Sequence, residues 1–137
     1  MTIVGFGFSE INVKKDVTLM GRVNIENNVT ITDVKLQELN VGTGKQDALR
    51  FTFEFLVNYN NDKKKSIASI KLIGNFTYIS QDVDCKKTVE EWEKNKKVQK
   101  ELEVMLLNKA LEGSTIRAII LADSVGLPPP VPLPKIK

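Results

Sequence analysis

From Leu49 to Tyr59 the chain alternates without a break: Leu49, Phe51, Phe53, Phe55, Val57 and Tyr59 are apolar, and Arg50, Thr52, Glu54 and Asn58 stand between them. Successive side chains of a strand point to opposite faces. A period of two over this length therefore describes a strand with one face on a core and the other toward water. Asn60-Asn61-Asp62 and Lys63-Lys64-Lys65 make a polar turn, after which the alternation resumes from Ile67 to Ile79 with Ala68, Ile70, Leu72, Phe76 and Tyr78 on one face. Gly74 interrupts that face and signals a bulge or a close backbone approach. The two runs form a hairpin.

A third strand is expected from Val29 to Val41. Val29 and Ile31 share one parity, Val34 and Leu36 the other, and Leu39 and Val41 return to the first. Parity changes of this kind mark bulges in a long, bent strand. Residues Gly42 to Asp47 turn it into the Leu49 strand. A weaker first strand runs from about Ile3 to Val17, with Gly5-Phe6-Gly7-Phe8 at its start and another change of parity around Ile11-Asn12-Val13.

After Ser80 the period lengthens to that of a helix. Thr88 is a capping residue, with Glu90 and Glu91 in the first turn where the helix dipole favours acids. Val89, Trp92, Gln99, Leu102, Leu106 and Ala110 recur three or four apart, with a slip near Asn95, and Gly113-Ser114-Thr115 breaks the helix. A second helix, about Thr115 to Ser124, is apolar on almost every side through Ile116, Ala118, Ile119, Ile120, Leu121 and Ala122. One sheet and one companion helix can hardly cover it, which implies a partner subunit. The expected subunit interface is Trp92, Ile116, Ile119 and Ile120, with Trp92 serving as a core or subunit anchor rather than a ligand platform. Gly126 ends the helix, and Leu127-Pro128-Pro129-Pro130-Val131-Pro132-Leu133-Pro134-Lys135-Ile136-Lys137 forms an extended, polyproline-like tail. The expected organisation is therefore one α+β domain over residues 1–126, a four-stranded antiparallel sheet followed by two helices, and a proline-rich tail over 127–137.

Composition excludes more chemistry than it suggests. The chain has 137 residues, no histidine and one cysteine, Cys85. Without histidine there is no imidazole acid–base catalysis, and a zinc site, which needs about four ligands drawn mostly from His and Cys, is nearly excluded. A lone cysteine makes no intrachain disulfide. Lys86 and Lys87 follow it directly, but no histidine activates it, so it reads as structural. The net charge of +3 comes from lysine clusters interleaved with Glu90, Glu91 and Glu93, not from the one-signed stripe of a nucleic-acid binder. No apolar run approaches about 18 residues, and the first residues do not resemble a signal peptide. The expectation is a cytoplasmic protein without membrane insertion, in which Asn28-Val29-Thr30 and Asn75-Phe76-Thr77 are chance glycosylation triplets.

Three motifs fail on inspection. Gly42-Thr43-Gly44-Lys45 looks like part of a phosphate-binding loop, but Leu39 stands where the first glycine belongs, Gln46 follows the lysine, and a strand comes next; it is a hairpin turn. Pro129 and Pro132 have PxxP spacing, but Pro134 occupies the place of the expected basic residue, and an apolar tail containing Leu127, Val131, Leu133 and Ile136 is better suited to lie on a surface. Asp82 and Asp84 solvate a loop.

The order of elements resembles the SecB family of protein-export chaperones. The resemblance rests on Ile11-Asn12-Val13-Lys14-Lys15-Asp16-Val17, a polar crossover from Gly21 to Asn28, and Val34-Lys35-Leu36. It continues through the hairpin ending in Gly74-Asn75-Phe76. Ile116-Arg117-Ala118-Ile119-Ile120 then resembles the family's last helix, and the prolines after Gly126 resemble the loop beyond it. The resemblance implies an ATP-independent holdase without enzymatic activity or cofactor, a dimer or tetramer that binds unfolded or partly folded polypeptides in apolar grooves. It places the client-binding residues at Val23 and Ile25 of the crossover and at Leu127, Val131 and Leu133 of the tail. Of the positions that match the family's acidic docking face for an export motor, Asp16 is acidic but Met20, Ile67 and Ser69 are not, which argues against that partner. Two readings stay open: a holdase, in protein export or general, and a dedicated partner-binding or structural oligomeric protein, of the toxin–antitoxin chaperone or phage-assembly kind, on the same fold.

Overall fold

The computed structural model describes residues 2–16, 23–42, 44–63, 65–79 and 84–130. Four strands, β1 (Thr2–Lys15), β2 (Asn24–Val41), β3 (Gly44–Asn60) and β4 (Ser66–Ile79), precede two helices, α1 (Cys85–Asn95) and α2 (Lys100–Ser124). The strands form one sheet in the order β1-β4-β3-β2, and every neighbouring pair is antiparallel. Consecutive in sequence, β1 and β2 lie at opposite edges, so the chain passes from one edge of the sheet to the other between Lys15 and Asn24.

The central hairpin follows the alternation of its sequence. In β3 and β4 buried and half-buried residues alternate with hardly a lapse, and Phe51, Phe53, Phe55, Tyr59, Ile70 and Leu72 have no exposed surface. Their shared face carries both helices. Gly74 marks a close approach: a Cβ there would sit 2.6 Å from the Phe53 ring and 2.7 Å from the Gly7 carbonyl of β1. The bulges lie in β1 itself, between Val4 and Gly7 and between Phe8 and Glu10. They turn Phe6 and Phe8 toward the core, where Phe6 stacks on Phe53 and Phe76 at 5.6 and 5.9 Å between centroids.

In β2 one of the two expected parity changes is present. The register shifts between Ile31 and Asp33, which brings Val34 onto the core face opposite Phe51. From Asp33 to Val41 the pairing runs unbroken, so Leu39 stays on the face opposite to Val34. Leu36, two residues beyond Val34 on the same face, is already 40 % exposed. The hairpin turn is tight: Val41 pairs with Gly44, and Gly42 adopts a φ of +47° that glycine tolerates best.

The helical region departs most from the sequence reading. Helix α1 starts at Cys85, not at Thr88, because Asp84 caps it by accepting from the Lys87 amide at 3.2 Å. Thr88 lies inside the first turn, buried, donating its hydroxyl to the Asp84 carbonyl at 2.9 Å. The helix stops at Lys96, a left-handed residue with φ of 54°, and the Lys96 amide closes on the Trp92 carbonyl. Beyond Gln99, α2 runs for 25 residues straight through Gly113. Glycine is permitted there by tertiary contact: a Cβ on Gly113 would meet the Phe6 ring at 2.5 Å.

Candidate functional site

Helix α2 rests on the sheet through one row of residues four apart: Leu102, Leu106, Ala110, Ser114, Ala118 and Ala122 are all buried. A row at this spacing lies along one side of a helix. Past Leu106 every member is small, so the helix backbone sits close to the aromatic floor of β3 and β4. The opposite row carries Val104, Ile116 and Ile120, exposed by 52, 60 and 51 %. Ile119, the remaining helical residue of the expected interface, is half-buried, and Trp92 belongs to the core of its own chain, with Lys96 Nζ 5.7 Å from its ring centroid. The second helix thus has apolar residues on both sides, as its sequence indicated, and only one side is covered within the chain.

Beside this outer row are two depressions that share Ile120. One, about 580 Å³, is lined by Phe6, Phe8, Ile11, Gly113, Ile116 and Arg117 among others; the second, about 330 Å³, by Ile119, Ile120, Asp123, Leu127 and Pro129. A third cleft of about 710 Å³ follows the first half of α2, between Ile3 and Val104. The first and third lie between α2 and β1, and the second lies at the C-terminal end of α2.

The far end of α2 brings the client-binding candidates together. Val23 and Ile25 pack with Tyr59, Leu121, Val125 and Leu127 in one cluster built on Phe55, Val57, Ile70 and Leu72. Leu127 is 6 % exposed. Val131 and Leu133 lie outside the described residues, as do Met20 and Asp82. The position of Leu127 is fixed by its amide, which donates to the Ala122 carbonyl at 2.8 Å, and by Gly126, whose φ of +73° turns the chain back across the helix end.

Three side chains to which the sequence reading gave no binding role hold the chain beyond the end of α2. Lys15 of β1 donates to the Val125 carbonyl at 2.7 Å, Tyr59 of β3 to the Pro128 carbonyl at 2.7 Å, and Asn27 of β2 to the Pro130 carbonyl at 3.0 Å. The prolines have no amide hydrogen, so beyond Leu127 the segment's backbone is bound only through its carbonyls, and the Pro130 ring is buried. Burial pushes the Tyr59 phenol up to about 12, which keeps it a donor at any ordinary pH. Nothing local in the sequence marks these residues, because each meets its partner across 69 to 110 positions.

Cys85 is buried at the first turn of α1, and burial, reinforced by the carboxylates of Asp47 and Asp84, pushes its thiol up. That is the direction opposite to the one a nucleophile requires. Among the described residues no three His, Cys, Asp or Glu side chains converge on a metal position, and no helix is long and apolar enough to cross a membrane.

No family model matches the chain, and no curated protein matches it. Among solved structures it is similar to the SecB-like chaperone Rv1957 of Mycobacterium tuberculosis, determined in complex with a ChAD peptide from the Rv1956 HigA1 antitoxin. The TM-score is 0.57 and the sequence identity 11 %, over 99 % of this chain and 90 % of that one. At that identity the likeness is one of fold. The chain has a SecB-like fold, as its sequence suggested.

Proposed function

We propose that this chain is an ATP-independent, polypeptide-binding chaperone that works as a self-associated holdase, without enzymatic activity or cofactor, in the cytoplasm. The observation that carries the reading is the apolar cluster at the end of α2, where Val23, Ile25 and Leu127 meet on a SecB-like fold. The physical case is one of many weak contacts. Each Leu- or Val-sized side chain of a client contributes roughly 1.5–3 kcal/mol gross on burial, and several such sites on a multimer retain a long chain by multivalency. Self-association is supported by the uncovered row of Val104, Ile116 and Ile120, which a second copy would cover.

The version with a dedicated partner is favoured over service to an export motor. The structurally similar protein was solved with a peptide of an antitoxin, and Ile67 and Ser69 replace acids expected on a motor-docking face. The test is suppression of aggregation of an unrelated unfolded polypeptide in the absence of ATP, with the mass of the complex measured in the same samples. Suppression by a dimer or tetramer supports the holdase. A stable oligomer that suppresses nothing and captures one partner supports the dedicated form, and one that captures nothing leaves a structural role.

A further inference from the structure

Resting on that reading, we infer that the client site is a carbonyl-reading groove which this chain fills with its own segment Leu127–Pro130, so that a client must displace the segment to bind. The present occupant displays what the groove accepts. One Leu side chain is buried to 6 % exposure in the cluster with Val23 and Ile25. One residue further on, a carbonyl takes the Tyr59 hydroxyl at 2.7 Å, and three residues further on another takes the Asn27 amide at 3.0 Å. Both donors belong to the sheet, not to the segment, and both persist when the segment leaves.

Because Pro128, Pro129 and Pro130 offer no amide hydrogens, the groove asks of its occupant only two apolar side chains, at the buried positions of Leu127 and Pro130, and a run of carbonyls. Any unfolded polypeptide supplies carbonyls at every residue. The partner that fits is therefore an extended segment presenting a Leu-sized side chain and a second apolar one at the position of Pro130, and prolines in it are tolerated. The segment of this chain is a suitable placeholder, since polyproline geometry loses little conformational entropy on docking but forgoes the amide bonds that a client could add.

The test uses the full-length protein and two substitutions: Lys15→Met frees the Val125 carbonyl at the root of the segment and leaves both groove donors in place, and Tyr59→Phe removes a donor from segment and client alike. The probe is reduced, carboxymethylated lactalbumin, a permanently unfolded chain. The reporter on the segment is hydrogen exchange of the Leu127 amide, which is bonded to the Ala122 carbonyl. Both substitutions are expected to speed Leu127 exchange; Lys15→Met is expected to tighten probe binding about two- to tenfold, the range set by the loss of one such bond, and Tyr59→Phe to leave it within about twofold, since segment and client lose the same bond. Unchanged Leu127 exchange would overturn the latch. Faster exchange in Lys15→Met with unchanged or weaker probe binding would overturn the shared site and leave the chaperone reading intact. Absence of probe binding in all three proteins would overturn both.

Discussion

The Phe6 ring of β1 occupies the place where a β-carbon on Gly113 of α2 would stand, 2.5 Å from that position at its Cζ. The glycine that reads as a helix breaker is thus a socket for an aromatic ring stacked on Phe53 and Phe76. Two terms oppose each other in Gly113→Ala. Helix propensity improves by about 1 kcal/mol, and displacement of a packed ring costs about 1–3 kcal/mol. The substitution alone is expected to destabilise the protein, whereas in a Phe6→Leu background it should be neutral or stabilising. Urea unfolding of the four proteins of this double-mutant cycle measures the coupling, and additive effects would show that the socket is not what keeps glycine in the helix.

The next residue of the same helix, Ser114, is fully buried, and its hydroxyl has no hydrogen-bond partner among the described residues. A buried, unsatisfied hydroxyl costs about 1–3 kcal/mol, and alanine is the better helix former. Ser114→Ala should therefore raise the melting temperature by several degrees. A fall in melting temperature would mean that the hydroxyl is satisfied in solution by a water or by a second copy of the chain.

Ile116 and Ile120 face away from the sheet and are more than half exposed. Their replacement therefore touches little of the chain's own core, and single-chain stability is expected to change by no more than about 0.5 kcal/mol per site. Lysine at position 116 would follow Glu112 by four residues, in the favourable order for a helix. Ile116→Lys/Ile120→Lys is expected to sediment as a monomer with an unaltered circular dichroism spectrum, against a multimer for the wild type. A double variant that keeps the wild-type mass would remove this row from the interface.

The strands were legible because their information is local. Alternation from Leu49 to Tyr59 and from Ala68 to Tyr78 needs no knowledge of the partner strand to assign a face, and the parity change before Val34 announces its bulge within a few residues. The helix boundaries were not legible, for a physical reason that applies twice. Gly113 breaks an isolated helix, and only the Phe6 ring, more than a hundred positions away, makes it acceptable. The actual break is at Lys96, a residue with good helix propensity and no chemical mark of its left-handed conformation. The apolar half of the candidate site, Val23, Ile25 and Leu127, came from the family resemblance. Its polar half did not, since Lys15, Asn27 and Tyr59 become donors to the tail only once the sheet has placed three different strands beneath it.

The phenol of Tyr59 gives the tail contact a pH signature. Its acidity in the folded chain is displaced to about 12 by burial, whereas an unfolded tyrosine ionises near pH 10. A group whose pKa is raised by folding contributes stability that is whole below the unfolded value and declines as pH climbs through the folded one. The contribution of Tyr59 is therefore constant through neutrality and is lost between about pH 10 and pH 12. Tyr59→Phe should be the less stable protein at pH 8, because the bond to the Pro128 carbonyl is missing. It should also lose less stability than the wild type over the alkaline interval, since it has no proton to release on unfolding. Every other titratable group is common to both proteins, so the measurement is the difference between their denaturation midpoints at successive pH values. That difference is expected to shrink steadily above pH 10. A gap that stays constant to pH 12 would mean that Tyr59 ionises as freely in the folded protein as in the unfolded chain, and that its hydroxyl is not enclosed beneath the proline segment.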